Sequence, residues 1–283
     1  MAMTLPGDLP HSPSPIIDIG TNLTHSSFSN DYEAVIKRAA SVGVSRILVT
    51  GTNIVESQHA AQLATEYPTI LNSTAGIHPH HAKDFQHDSS AKLKKIAAST
   101  QVKAIGECGL DFNRMFSSKK EQLRAFEQQI ELAIELQLPL FLHERDAHNT
   151  QREVLTSYRD QFLNAVVHCF TGEKHEAFHY LDLDLYIGIT GWICDERRGA
   201  HLHEFVGDIP LNRLLIETDA PYLTPKVKPK PKLKSTRRNE PCTLPYVLTE
   251  IAKHSEYTVE AIAHATTDNA TRLFRLDNPR KIS

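Results

Sequence analysis

The sequence has little of what marks a secreted, membrane-bound or nucleotide-binding protein. Its four cysteines are scattered without a C-x-x-C pair, which argues against a disulfide framework and against a structural zinc site. No apolar run is long enough to cross a bilayer, and the absence of a glycine-rich phosphate motif leaves nucleotide cofactors unsupported. The formal charge of −3 provides no global attraction to nucleic acid. We expect a cytoplasmic protein that does not associate with a membrane.

Short apolar runs alternate with amphipathic segments from Ile16 onward, which is typical of repeated βα units. The predicted strands are 16–20, 45–50, 70–75, 102–106, 138–142, 165–167, 185–189 and 214–217. Polar residues end these strands around a full circle rather than at one switch point, so a closed (β/α)8 TIM barrel is favoured over an open doubly wound sheet. We expect residues 16–283 to form this single domain, and residues 1–15, rich in Pro and Ser, to be disordered.

Four of the predicted strands end on a residue that can bind a metal ion: Glu107, His143, His168 and Asp219. In a TIM barrel this end of the strands is the catalytic face. Two carboxylates and two imidazoles suit a catalytic divalent cation that keeps a water ligand. One histidine after an apolar strand is usually a hydrogen-bonded core residue, but two at matching positions favour ligation. Glu107 and Asp219 are also predicted to be catalytic, Asp219 as the proton acceptor.

Candidates for substrate binding follow the same strands. His78, in GIHPHH, and Arg114, in LDFNR, are predicted to face the mouth of the barrel, where a guanidinium could meet a phosphate through two parallel hydrogen bonds. A solvated histidine loop and an ion pair would look the same in sequence. Trp192 could stack on a base or belong to the core.

The segment after the last predicted strand is strongly basic. It contains no acidic residue between Asp219 and Glu240, and its basic residues are Lys226, Lys228, Lys230, Lys232, Lys234, Arg237 and Arg238. Such a run is most often a solvated loop, but its position beside Asp219 suggests a polyanionic substrate. Arg237 and Arg238 are predicted to hold a phosphate.

Six segments in a fixed order carry a family resemblance: GIHPH, IGECGLDF, HCFTG, IGITGW, ETDAPYL and RRNEP. Together they resemble the TatD family of metal-dependent deoxyribonucleases over residues 16–274. The resemblance implies a barrel of the amidohydrolase type that hydrolyses DNA phosphodiesters, in several members as a 3′–5′ exonuclease on single strands. It also implies metal ligation by Glu107, His143, His168 and Asp219.

The chain departs from the family pattern at its first strand. The usual H-x-H pair falls on Gly20 and Asn22, which is similar to the TatD-like subgroup that also lacks it. We therefore expect one well-formed metal site and a second that is weak or completed by substrate oxygens and Asn22. Mg²⁺ or Mn²⁺ is favoured over tightly held Zn²⁺, because hard ions prefer oxygen ligands and water.

The sequence thus predicts a monomeric Mg²⁺-dependent exonuclease that shortens single-stranded DNA or RNA from the 3′ end, in DNA repair or degradation. Two alternatives stay open at this point. The same barrel could be an amidohydrolase acting on a small cyclic amide. Alternatively, loss of the H-x-H pair could leave a catalytically weakened barrel that binds nucleic acid without cutting it.

Overall fold

Eight parallel strands, hydrogen-bonded to one another in chain order, form the centre of the computed structural model, which describes residues 9–233, 235 and 238–276. The strands are β1 (Ile16–Thr21), β2 (Val44–Val49), β3 (Leu71–Ala75), β4 (Val102–Asp111), β5 (Leu140–Arg145), β6 (Ala165–Val167), β7 (Tyr186–Ile189) and β8 (Leu214–Ile216). A parallel bridge joins Thr21 to Ala220, and the N–H of Asp219 donates to the carbonyl of Gly20 at 2.9 Å. These contacts close the sheet, so the predicted (β/α)8 barrel is confirmed.

Helices alternate with the strands and cover the outside of the barrel. They are α1 (Tyr32–Ser41), α2 (Ile54–Glu66), α3 (Ser89–Ala97), α4 (Lys119–Leu136), α5 (His148–Tyr158), α6 (Lys174–Asp182), α7 (Ala200–His203), α8 (Leu244–Lys253) and α9 (Val259–Leu273). In the part of the chain that the structure describes, none of them has the length and apolar character that a membrane span requires.

The start of α4 shows how local sequence sets a helix boundary. Ser118 accepts a hydrogen bond from the N–H of Glu121, whose carboxylate accepts the N–H of Ser118 in return. This capping box satisfies two N–H groups that the first turn cannot pair. Phe126 and Ile130, four residues apart on one face, are fully buried, as the helical period predicts.

Strands β4 and β5 are longer than the sequence predicts. The apolar runs end at residues 106 and 142, whereas β4 continues to Asp111 and β5 to Arg145, with Gly109 opposite His143. The predicted ends were wrong because main-chain hydrogen bonds between parallel strands do not depend on the polarity of the side chains. Glu107 and His143 therefore lie within paired strands rather than on loops.

Apolar side chains fill the barrel below its catalytic mouth. The cluster consists of Ile17, Ile19, Leu48, Ala104, Phe141, Val166, Tyr186 and Leu215, with Ala270, Leu273, Phe274 and Leu276 from the C-terminal region. At the opposite end of the barrel, the amide of Asn269 on α9 donates to the carbonyl of Leu214 at 2.9 Å. Helix α9 thus covers the amino-terminal ends of the strands, and the other end stays open.

The prediction that the whole segment before β1 is disordered is wrong for residues 9–15. Leu9 is 5% exposed, the N–H of Ser12 donates to the carbonyl of Val42 at 2.9 Å, and Thr267 of α9 donates to the carbonyl of Pro15 at 2.8 Å. Residues 9–15 are therefore packed against the barrel, because Leu9 gains by burial and its neighbours find hydrogen-bond partners. Residues 1–8 lie outside the described residues.

Replacing Phe126 by alanine tests the packing of α4 on the barrel. The ring is fully buried, so its removal is expected to lower the free energy of unfolding by about 3–5 kcal/mol. Glu127→Ala, at an exposed position of the same helix, is the matched control and should change it by less than about 0.5 kcal/mol. Urea unfolding followed by circular dichroism measures both. Equal losses in the two variants would contradict the packing described for α4.

Candidate metal centre

A buried carboxylate lies at the centre of the barrel mouth. Glu107 on β4 is 6% exposed, and its Oε1 lies 3.0 Å from Nδ1 of His143 on β5 and 2.8 Å from Nε2 of His168 after β6. Three consecutive strands thus bring three of the four predicted ligands to one point. The arrangement follows from the parallel barrel, in which the carboxyl ends of all strands share one face.

Asp219, the fourth predicted ligand, follows β8 and lines the same pocket as Glu107, His143 and His168. Its Oδ1 accepts a hydrogen bond from the side-chain amide of Asn22 at 2.9 Å. Burial raises the pKa of Asp219 to about 7; His168 opposes this rise and the carboxylate of Glu107 adds to it. The four predicted ligands therefore face one pocket.

The charges of this group are strongly coupled. Burial alone would raise the pKa of Glu107, but the adjacent imidazoles of His78 and His168 outweigh it and hold this pKa well below its usual range. Burial alone would lower the pKa of His168, but Glu107 and Glu217 hold it well above its usual range. Ligation of a divalent cation requires neutral imidazoles, so metal binding at this point must compete with protons.

Further carboxylates hold the outer nitrogens of the two candidate ligand imidazoles. Nε2 of His143 lies 3.2 Å from Oδ2 of Asp111, and Nδ1 of His168 lies 3.2 Å from Oε2 of Glu217. Once the rings are neutral, a carboxylate at the outer nitrogen keeps the proton there and leaves the lone pair of the inner nitrogen free for a cation beside Glu107. The donor set therefore fits a divalent cation.

Neither Asp111 nor Glu217 was predicted to be part of the metal centre. A usable signal was present for Glu217, which stands two residues before Asp219 at the end of the eighth predicted strand. The carboxyl ends of the strands of such a barrel share one face. The sequence could not show that the carboxylate of Glu217 would meet His168, 49 residues away.

His78 belongs to the same cluster, but its neutral ring donates a hydrogen bond to Glu107 instead of offering a lone pair to a cation. The candidate ligand atoms of His78, Glu107 and His143 lie within 4.8 Å of one another. However, Nδ1 of His78 accepts the N–H of His80 at 3.0 Å, so the proton of the neutral ring lies on Nε2, 3.3 Å from Glu107. Burial lowers the pKa of His78 to about 4, which keeps the ring neutral. His78 is therefore a hydrogen-bond donor in the pocket.

Arg238 does not reach the pocket, and its predicted role in phosphate binding is wrong. Its side chain is 8% exposed and forms ion pairs with Asp31 at 2.9 Å and Glu240 at 2.6 Å. Buried carboxylates need a compensating charge, which is the physical reason for this position. Lys226, at the start of the basic segment, pairs with Asp195 at 2.6 Å, and Arg237 lies outside the described residues.

Three other arginines line the pocket instead: Arg114, Arg145 and Arg198. The guanidinium of Arg198 lies 4.2 Å from the ring centre of Trp192, and that of Arg145 lies 5.6 Å from it. The sequence indicated only Arg114. Arg145 stands two residues after His143 on β5, and the period of the strand could have identified it. Trp192, for which a core role stayed open, forms part of the pocket wall.

The two positions of the missing H-x-H pair have other uses in this chain. A Cβ at Gly20 would lie 2.1 Å from Oε2 of Glu217, so any side chain there requires Glu217 to move away from His168. Asn22, on the rim of the pocket, holds Asp219 through its amide. The first strand therefore supports two other members of the centre.

The model of the family described as TatD related DNase matches residues 17–275. The chain belongs to this family. It is 50% identical over 262 residues to the 3′–5′ ssDNA/RNA exonuclease TatD of Erwinia billingiae, a match that covers 92% of this chain and 99% of that protein. The protein of the same description from Pantoea vagans is 47% identical, over 92% of this chain and all of the relative.

Solved structures share the whole architecture. A TatD homologue from Escherichia coli superposes with a TM-score of 0.82 at 28% identity and covers 93% of this chain and 98% of its own. A TatD family hydrolase from Entamoeba histolytica gives a TM-score of 0.83 at 25% identity, with 94% and 99% covered. The resemblance found in the sequence motifs is thus confirmed over nearly the full length.

Glu217→Gln tests how the outer carboxylates support the centre. Glutamine keeps the size of the side chain but removes its negative charge. Because the two oxygens of Glu217 contact Nδ1 of His168 and the N–H of Cys169, the amide group must oppose one of these two donors, which weakens the hold on the tautomer that ligation needs. Loss of such a partner typically lowers metal affinity about 10–100-fold. Calorimetric titration with Mn²⁺ measures the change. Asp208→Asn, in an exposed ion pair with Lys174, is the control, and an unaltered Mn²⁺ affinity of Glu217→Gln would refute the supporting role.

Proposed function

We propose that this protein is a divalent-metal-dependent exonuclease that hydrolyses single-stranded DNA or RNA from the 3′ end. The observation that carries the proposal is the convergence of His143 and His168 on Glu107, in a chain of the TatD-related DNase family. The polarity and the substrate follow those of the curated relatives at about half identity.

The shape of the pocket supports single strands as substrates. The cavity measures about 1020 Å³, and Glu107 at its base is 6% exposed. A single strand can present a backbone phosphate to such a buried carboxylate without the unpairing that the end of a duplex requires. Arginines on the wall suit phosphates through their planar forks, and Trp192 suits a base through stacking.

Glu107, His143, His168 and Asp219 would hold the cation, which lowers the pKa of water and neutralises charge on the phosphoryl oxygens when bound. Asp219 accepts the proton of the attacking water, and Asn22 holds its carboxylate in place. His78 donates a hydrogen bond from Nε2, and Arg114 meets the phosphate at the rim. These roles need donors that are positioned before the substrate arrives.

The physiological cation in this proposal is Mg²⁺, with Mn²⁺ as the alternative. Two of the four ligands are carboxylates, which hard ions prefer, and Gly20 and Asn22 offer no imidazole for a second tight site. The proposal also includes a cytoplasmic monomer that acts in DNA repair or degradation, on the basis of composition and family resemblance.

The two other functions considered from the sequence have less support. Three arginines are among the residues that line the pocket, which suits an anionic substrate better than a small cyclic amide. A barrel that only binds nucleic acid has no need for two ligand histidines whose outer nitrogens are held by carboxylates. Such an arrangement is typical of a working metal site.

Asp219→Asn tests the proposal on a single strand labelled at its 5′ end, in the presence of Mg²⁺. The wild type is expected to give a ladder of products that shorten from the 3′ end. Asparagine cannot accept the proton, and loss of general base catalysis typically slows a reaction about 10²–10⁴-fold. Time courses on denaturing gels measure the rates.

Asp208→Asn is the matched control and should leave the rate unchanged, since this exposed carboxylate forms an ion pair with Lys174 away from the pocket. Wild-type cleavage by Asp219→Asn would reject the assigned proton acceptor. Products that shorten from the 5′ end would reject the polarity and retain the nuclease. No cleavage by the wild type with either cation would reject the activity itself.

A further inference from the structure

A second group of histidines lies outside the catalytic pocket, between α5 and α6. His148 is the first residue of α5, and His175 and His179 stand one turn apart on α6. Nε2 of His148 lies 3.0 Å from Nδ1 of His179. The ring centres are 5.2 Å apart for His148 and His179, 5.7 Å for His175 and His179, and 6.4 Å for His148 and His175.

These separations approach those of three imidazoles on one tetrahedral ion. With metal–nitrogen bonds of about 2.0–2.1 Å, the ligand nitrogens lie about 3.3–3.4 Å apart and the ring centres about 5 Å apart. His148 and His179 differ from this by a few tenths of an ångström. His175, whose ring is the most distant, is exposed, so rotation of its side chain can bring it to the other two.

The bonding of His148 also distinguishes it from an ordinary core histidine. The residue is 6% exposed, and within the described part of the chain its Nδ1 has no hydrogen-bond partner. Its only side-chain hydrogen bond there is the contact with His179. Nε2 of His148 is thus held by another imidazole rather than by a backbone group or a carboxylate, which are the usual partners of a buried imidazole. This nitrogen can exchange its contact with His179 for a cation that both rings share.

Another candidate cluster is formed by His203, Glu250 and His254. Its two histidines are less well placed to share an ion. Nε2 of His203 bonds to the carbonyl of Ile193 at 2.7 Å. The rings of His203 and His254 are stacked 3.8 Å apart at an angle of 5°, so the in-plane lone pairs of the two rings run parallel and do not converge. The group between α5 and α6 is therefore the better metal site.

We propose that His148, His175 and His179 form a second divalent-metal site, which takes imidazole-preferring ions such as Zn²⁺ rather than Mg²⁺. The site is independent of the activity at the barrel mouth. Its two helices follow β5 and β6. His143 lies on β5, and His168 comes directly after β6. A bound ion ties these two βα units together and stabilises the folded chain.

Zinc titration of wild type and of a His175→Ala/His179→Ala variant tests the site. Both substitutions are made in the wild-type chain and again in a Glu107→Gln/Asp219→Asn background, which removes two ligands of the catalytic centre. In each background the chain with intact histidines should take up one more Zn²⁺ than its partner. It should also show the intense visible bands of tetrahedral Co²⁺ and a higher melting temperature with Zn²⁺.

His87→Ala, at another exposed histidine, is the matched control and should bind zinc like the wild type. His175→Ala alone changes only an exposed side chain, so the test holds even if the double variant folds poorly. It should weaken zinc binding at least about tenfold, since even outer partners of a metal contribute that much. Equal zinc stoichiometry and affinity with and without the histidines would overturn the proposal.

Discussion

The buried charge of Glu107 is the constraint on which the rest of the catalytic mouth depends. A carboxylate at 6% exposure is costly to bury unless opposite charges or hydrogen bonds surround it. His78, His143 and His168 provide these contacts in the protein alone. The nitrogens of His143 and His168 that donate to Glu107 offer a lone pair to a divalent cation once the rings are neutral, so the arrangement that stabilises the buried Glu107 also suits a metal ion.

The barrel supplies the rigidity that such a site requires. Glu107 and His143 stand on strands that stay paired past the end of their apolar runs, and Phe141 from the core stacks on His168 with ring centres 4.5 Å apart. Asp111 and Glu217 then fix the outer nitrogens. Contacts therefore run from the apolar core through the ligands to the open pocket, which keeps the donors positioned in the way that catalysis needs.

The fold and the meeting of the four candidate ligands in one pocket could be predicted because both follow from local pattern: apolar runs mark the strands, and polar residues at their ends fall on one face. Contacts between segments that are distant in the sequence could not be predicted in this way. Arg238 resembles its basic neighbours in sequence, but it pairs with Asp31, 207 residues away. Leu9 lies in a segment of disordered composition and yet is buried. Position within the fold, rather than residue type, decides these cases.

The central claim is that Glu107, His143, His168 and Asp219 share a cation, and anomalous scattering from a crystal soaked with Mn²⁺ tests it most directly. The account predicts an ion about 2.0–2.3 Å from a carboxylate oxygen of Glu107, Nδ1 of His143 and Nε2 of His168, with Asp219 adjoining it. An ion bound elsewhere in the barrel, or the absence of any ion from this group at saturating Mn²⁺, would contradict the account.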